Sequence, residues 1–272
     1  MKKIYINKYN GMEPAWASFN FSVKDYKITN NLEESDYIFY IDSEKIIETD
    51  KPKLLYLIEC PEILNLIYSK NFLNIIQKTN ADMIFTYCKD YTDNKKIFYN
   101  TPPFSAWVIP KLSQKTKLLS TICSRKKVTS GHILRHIYIQ ELQKLNYNIS
   151  LYGSQFNYIE SKNEGLDDYC FSLVIENSKV NGYFTEKILD CFLTGTVPIY
   201  WGDPSIGEIF DINGIIVLNS LNDILNVNFK LYEKMLPHIL KNYEIANSFV
   251  KPTSEKYFLD GIFKYEERKK IL

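Results

Sequence analysis

Phe171-Ser-Leu-Val-Ile-Glu-Asn-Ser-Lys-Val-Asn-Gly-Tyr-Phe-Thr-Glu-Lys-Ile-Leu-Asp190 changes character twice along its length. Phe171–Ile175 is a short, mostly apolar run without polar alternation, as in a strand buried on both faces. Glu176, Asn177 and Ser178 then emerge at its carboxyl end. Gly182 permits a tight turn. Thr185 is placed to cap a helix that runs through Leu193 and stops at Gly195. Buried strand, polar loop and helix in direct succession form the building unit of a parallel α/β sheet. Ligands of such sheets sit at the carboxyl ends of the strands. The polar residues after Ile175 are therefore the first to ask about chemistry.

The same alternation continues on both sides. Val197–Trp201 and Ile215–Leu218 read as further strands, and the pattern from Leu221 onward is mostly helical. Upstream, Lys117–Ser124 and Asn148–Tyr152 read as strands. Between them lies a helix over Gly131–Leu145, with Ile133, Leu134, Ile137, Leu142 and Leu145 on one face. The amino-terminal half repeats the scheme. Lys3–Tyr9, Asp36–Ile41, Lys53–Glu59, Met83–Tyr87 and Ile97–Tyr99 are strand-like, and Pro61–Lys78 is helix-like. Thr101-Pro-Pro-Phe-Ser-Ala-Trp-Val-Ile-Pro110 cannot be helical and serves as a connector reaching to about Lys115. The expectation is two Rossmann-like α/β domains, 1–112 and 113–272, with the carboxyl-terminal helices in the second and a ligand cleft between the two.

Composition narrows the function classes. The chain of 272 residues carries 33 Lys plus Arg against 32 Asp plus Glu, a formal net charge of +1. That balance removes any whole-molecule case for binding nucleic acid or an acidic membrane. Aromatic residues at 15% exclude an intrinsically disordered chain. The five cysteines, Cys60, Cys88, Cys123, Cys170 and Cys191, are odd in number, widely spaced and without a CxxC pair. They form neither a disulfide framework nor a zinc site and read as buried thiols of a reducing compartment. The amino terminus lacks a signal-peptide core, and no run approaches the ~18 apolar residues of a membrane span. A soluble, cytoplasmic protein is expected, with peripheral membrane association left open.

Two basic features follow strands and enter helices. Glu186 and Lys187 fall in the first turn after Thr185. A Lys is disfavoured there by the helix dipole, whereas a helix N-terminus together with a Lys suits a diphosphate. A capped helix with a solvated Lys fits the spacing equally well. Arg135 lies about one turn into the earlier helix, near its positive end, where a guanidinium can grip phosphate oxygens. Arg125, Lys126 and Lys127 read as a solvated loop. His132 and His136 stand at metal-binding spacing, but no acidic or Cys partner lies nearby in sequence, which favours capping or packing. In the amino-terminal half, Glu59 closes an apolar strand, where a carboxylate can act as a general base. Glu62 fits better as a carboxylate at a helix N-terminus. There is no GxGxxG, GxxxxGK[ST], HExxH or Asp-x-Asp. If the protein handles a diphosphate, basic side chains and helix ends must supply the positive charge in place of a metal.

Ile175-Glu-Asn-Ser, Gly182-Tyr-Phe-Thr-Glu-Lys-Ile-Leu-Asp and Gly195-Thr-Val-Pro-Ile-Tyr-Trp-Gly-Asp-Pro-Ser-Ile resemble the signature of family 10 glycosyltransferases, the α1,3/4-fucosyltransferases. The resemblance extends more weakly from about Lys117 to Asn226 and is thin in the amino-terminal half. It implies a GT-B arrangement of two Rossmann-like domains, GDP-fucose as donor, a glycan acceptor and an inverting mechanism without cofactor or metal. Residue by residue it implies donor contacts at Arg135, Asn177, Tyr183, Glu186 and Lys187, the Arg and Lys on the diphosphate, and Glu59 as general base on a short alignment. Ile175 stands where the family usually has Phe, and the compact amino-terminal half leaves the acceptor open. A transferase of the same build using another nucleotide sugar, and a sugar-binding protein without catalysis, are the alternatives.

Overall fold

The structure is a computed structural model that describes residues 1–7, 22–23, 25–43, 45–68, 76, 78–100, 106–249 and 253–270. The chain forms two compact units, one of residues 1–103 with 254–272 and the other of 104–253.

The first unit is built on seven strands: β1 (Lys2–Asn7), β2 (Ser22–Val23), β3 (Tyr26–Thr29), β4 (Tyr37–Ile41), β5 (Lys53–Leu57), β6 (Met83–Thr86) and β7 (Ile97–Tyr99). Their order is β2-β3-β1-β4-β5-β6-β7. All neighbours run parallel except β2 and β3. Every residue of β4, β5 and β6 is buried, which explains their unbroken apolar runs. Helix α1 (Pro61–Tyr68) forms the start of the expected Pro61–Lys78 helix; residues 69–75 and 77 lie outside the described residues. The strand β3 was not foreseen. Its four residues are exposed or half-buried and include two Lys-flanked positions, so no apolar run marks it.

The second unit holds β8 (Lys117–Ile122), β9 (Ser150–Tyr152), β10 (Tyr169–Ile175), β11 (Val197–Trp201) and β12 (Ile216–Val217). They form a fully parallel sheet in the order β12-β11-β10-β8-β9. Helices α2 (Ser130–Lys144), α3 (Glu186–Leu193), α4 (Asn222–Leu225) and α5 (Phe229–Asn247) complete it. The central strand β10 is buried throughout, and Phe171, Leu173, Phe184, Phe192 and Ile199 anchor one continuous core around it. The connector from Ala106 to Thr116 is neither helix nor strand, as its prolines predict, and Lys117 opens β8. The Trp107 amide donates to the Asp190 carboxylate at 2.7 Å, and the Lys111 amide to the Leu193 carbonyl at 2.9 Å. Residues 101–105 of the proline-rich stretch lie outside the described residues.

The domain division differs from the expected break after residue 112. It falls at residue 103, and the last helix, α6 (Thr253–Lys269), groups with the first unit. The reason is close packing. Gly261 approaches β5 and β6 so nearly that a Cβ would stand 2.2 Å from the Tyr56 hydroxyl and 3.0 Å from Phe85. Glu266 accepts hydrogen bonds from Tyr37 and Lys2. Helical periodicity tells which face of α6 is apolar but not which sheet it covers.

All five cysteines are free and buried. Among the described residues no helix is long and apolar enough to cross a membrane.

Candidate functional site

Glu176 is the first residue beyond β10 and is fully buried. A carboxylate there requires partners, and the start of α3 supplies them. Its Oε1 accepts from the Thr185 amide at 2.9 Å, and its Oε2 from the Thr185 hydroxyl at 2.7 Å and the Lys187 ammonium at 3.1 Å. Thr185 is the N-cap of α3, as its position in the sequence predicts. Its Oγ1 also accepts from Lys187 Nζ at 2.8 Å. Lys187 is thus fixed at the helix N-terminus rather than solvated. Burial alone would lower its pKa, but Glu176 and Glu186 outweigh burial and raise it.

The start of α2 meets the same loop. Thr129 caps α2, accepting from the His132 amide at 3.2 Å. The Gly131 amide donates to the Asn177 carbonyl at 3.1 Å. A Cβ on Gly131 would stand 1.7 Å from the Glu176 carbonyl oxygen, so only glycine lets the two segments approach. Gly131→Ala is expected to destabilise the second unit by about 3 kcal/mol, the upper part of the range for overpacking. Urea unfolding at matched m-value checks it.

Arg135 is buried and donates from Nη2 to the Ile175 carbonyl at the end of β10. Arg135 and Lys187 lie close enough that the Arg charge opposes protonation of the Lys. Both act on His132. Burial first, then Arg135, Lys126 and Lys187, push its pKa down to about 4, so its ring is neutral at physiological pH. Its Nδ1 pairs with the Thr129 hydroxyl at 2.7 Å, and His136 Nε2 lies 3.2 Å from the Lys126 carbonyl. The two histidines are capping and packing groups. Two helix N-termini and two fixed cations therefore converge on the end of one central strand, an arrangement suited to a polyanion.

Glu186 is nearly buried and bridges Lys162 at 3.2 Å and Lys187 at 3.8 Å. Burial acts to raise its pKa, but Lys187 and Lys162 override it and hold the carboxyl at about 2, against an ordinary 4.5. A carboxyl depressed by folding stabilises fully above its unfolded pKa and loses that stabilisation as pH falls through the folded one. The loss here is on the order of 3 kcal/mol between pH 4.5 and about 2. Denaturant unfolding across that window is expected to show it in the wild type, with Glu186→Gln flattening the dependence.

Asn177 is half-buried and Tyr183 is buried, both in the loop between β10 and α3. Gly182 adopts φ +82°, and its amide donates to Asp203 Oδ1 at 2.8 Å. Gly202 is crowded by two buried side chains: a Cβ there would stand 2.4 Å from the Tyr200 hydroxyl and 2.7 Å from Glu176 Cγ. In the first unit, Glu59 lies two residues beyond β5 and is half-buried. Its amide donates to the Asp42 carboxylate at 3.1 Å, and its carbonyl accepts from the Tyr87 hydroxyl at 2.8 Å.

The second unit thus gathers Arg135, Asn177, Tyr183, Glu186 and Lys187 around one loop. Sequence reasoning passed over Glu176 as a working residue, together with Gly131, Asp203 and Asp42. For Glu176 the signal was present, an acid set directly on the end of a buried strand. Gly131 carried a weaker one, a glycine in the first turn of a helix.

Comparison with known proteins bears on this arrangement. Residues 112–224 match the family profile described as glycosyltransferase family 10 (fucosyltransferase), C-terminal. A stretch of 92 residues, 34% of the chain, is 32% identical to α-(1,3)-fucosyltransferase FucT of Helicobacter pylori and covers 18% of that protein. Over 73 residues, 26% of the chain, identity to a putative fucosyltransferase-like protein of Arabidopsis thaliana is 36%, covering 14% of it. The matched stretches span less than a fifth of these curated relatives. A crystal structure of an α1,3-fucosyltransferase superposes with a TM-score of 0.60 at 18% identity, over 93% of this chain and 90% of the other. One with GDP-fucose superposes at 0.56 and 18% identity, over 98% and 89%. At these identities the likeness speaks to the fold, and the fold class is the one expected, two Rossmann-like α/β domains of the GT-B type.

Proposed function

From the match of residues 112–224 to the family 10 glycosyltransferase (fucosyltransferase) C-terminal profile, we propose that the protein is a glycosyltransferase that moves fucose from GDP-fucose to a hydroxyl of a glycan acceptor, in an α1,3-type linkage. The observation that carries this reading is the pair of cations, Arg135 and Lys187, held by Ile175 and Glu176 at the end of β10 where two helix N-termini meet. Negative charge develops on the departing diphosphate as the sugar–phosphate bond breaks. Cations already oriented by their own hydrogen bonds stabilise that charge without reorganising. They take the role that a divalent ion has in other transferases, so the reaction needs no metal or other cofactor. Asn177, Tyr183 and Glu186 complete the donor contacts.

Glu59 is the general base. It takes the proton of the acceptor hydroxyl as the oxygen attacks the anomeric carbon, from the face opposite the diphosphate. One displacement inverts the anomeric configuration and releases GDP. The acceptor is a glycan or glycoconjugate, in keeping with a balanced net charge that favours no nucleic acid.

Thermal denaturation with a panel of nucleoside diphosphates tests the donor assignment. GDP is expected to raise the midpoint by mass action while UDP and CDP leave it unchanged, and the shift should persist in excess chelator. A shift by UDP alone would assign the site to another nucleotide sugar. An array of glycans incubated with GDP-fucose then identifies the acceptor.

A further inference from the structure

The carboxyl end of β5 in the first unit is fastened from both neighbouring strands. From β4 comes Asp42, the residue immediately after Ile41. Its Oδ1 accepts the Ile58 amide at 2.7 Å, and its two oxygens share the Glu59 amide at 3.2 Å and 3.1 Å. From β6 comes Tyr87, immediately after Thr86, whose hydroxyl donates to the Glu59 carbonyl at 2.8 Å. Ile58, Cys60 and Tyr87 are all fully buried, so the half-buried Glu59 is held between fixed groups. Asp42 reaches this position with φ +47°, a left-handed conformation outside the ordinary range for a side-chain-bearing residue. Its own amide is tied to the Tyr56 carbonyl at 2.8 Å. A half-buried carboxylate in the left-handed region that clamps the backbone of an acidic residue on the neighbouring segment exceeds what a turn requires.

We propose that Asp42 is the positioning residue for Glu59, fixing its backbone through the two amides and strengthening it as a base through like charge. This rests on the reading of Glu59 as the general base. Each carboxylate opposes the ionisation of the other. When Asp42 loses its proton, Glu59 binds the acceptor's proton more strongly and its amide is held by a charge-assisted bond. Burial, with a smaller contribution from Glu59, raises the Asp42 pKa to about 7, against the lowering effect of the Ile58 and Glu59 amides. Among the described residues, Cys60, Asp42, Cys88 and Glu59 face the Tyr87 hydroxyl at this end of the sheet. Burial raises the Tyr87 pKa well above its ordinary value, so Tyr87 stays neutral where Asp42 changes charge, near pH 7.

The test is kcat against pH for wild type, Asp42→Asn and Glu59→Gln, using GDP-fucose and the glycan transferred best on the array. Asn keeps an acceptor for the Ile58 and Glu59 amides and removes the charge. The ratio of wild-type to Asp42→Asn kcat is expected to grow roughly three- to tenfold from the acid to the alkaline side of pH 7, while KM for GDP-fucose stays the same. A ratio that is constant with pH would make Asp42 a structural clamp only and overturn the proposal. If Asp42→Asn does not fold, the wild-type profile decides: an inflection near pH 7 in kcat and not in donor KM supports the proposal, and its absence overturns it. Glu59→Gln separates the two readings. Normal transfer by that variant removes the base assignment itself. A dead Glu59→Gln with a flat Asp42→Asn ratio removes only the role of Asp42.

Discussion

Lys187→Ala is expected to lower kcat for transfer from GDP-fucose by a hundred- to a thousandfold, the loss typical when one preorganised donor to developing negative charge is removed. It should also destabilise the protein, because Lys187 is the cation paired with the fully buried Glu176 at 3.1 Å. Breaking such a pair from one side costs about 3–5 kcal/mol, moderated here by the two hydrogen bonds from Thr185 that remain. The two effects separate in the double variant Lys187→Ala/Glu176→Gln. Neutralising Glu176 removes the stranded charge and should recover most of the stability seen by urea unfolding, while transfer remains as low as in the single variant. Recovery of activity along with stability would mean that Lys187 serves the fold alone.

Glu59→Gln is expected to bind GDP with the affinity of the wild type and to lose transfer by a factor on the order of 10²–10⁴, the contribution of a positioned general base. The amide side chain keeps the size of the carboxylate and cannot take the acceptor's proton. The backbone clamp is untouched, since Asp42 and Tyr87 hold the Glu59 amide and carbonyl rather than its side chain. Calorimetric titration with GDP and single-turnover transfer measure the two quantities independently. A variant that transfers at the wild-type rate would place the base elsewhere.

Much of this was legible in the sequence, for reasons that differ from element to element. The buried strands β4, β5, β6 and β10 announce themselves because a strand covered on both faces has no polar alternation. Thr185 is legible as a cap because capping is a property of local sequence, and the helix begins one residue later, at Glu186. Arg135 and Lys187 could be nominated because each follows a strand and enters a helix. What holds them was not legible. Arg135 is fixed by the Ile175 carbonyl, forty residues away, and Gly131 is dictated by a clash with the Glu176 carbonyl. Contacts between segments distant in sequence leave no periodic trace in either one. Asp42 was hidden for the same reason, since its partners Ile58 and Glu59 lie just beyond the end of the next strand, β5. The helix α6 shows the limit at the level of the fold. Its partners, Tyr37, Tyr56 and Phe85, are some two hundred residues earlier, and only tertiary structure shows that it closes the first unit.

The central claim is that the cations at the end of β10 serve transfer from GDP-fucose. Mass spectrometry of a glycan array incubated with the protein, GDP-fucose and excess chelator tests it most directly. The predicted result is release of GDP and the gain of one deoxyhexose by a subset of glycans, with Arg135→Ala and Lys187→Ala giving no product in the same time. Transfer from a uridine nucleotide sugar with none from GDP-fucose, or wild-type yields from both variants, would contradict it.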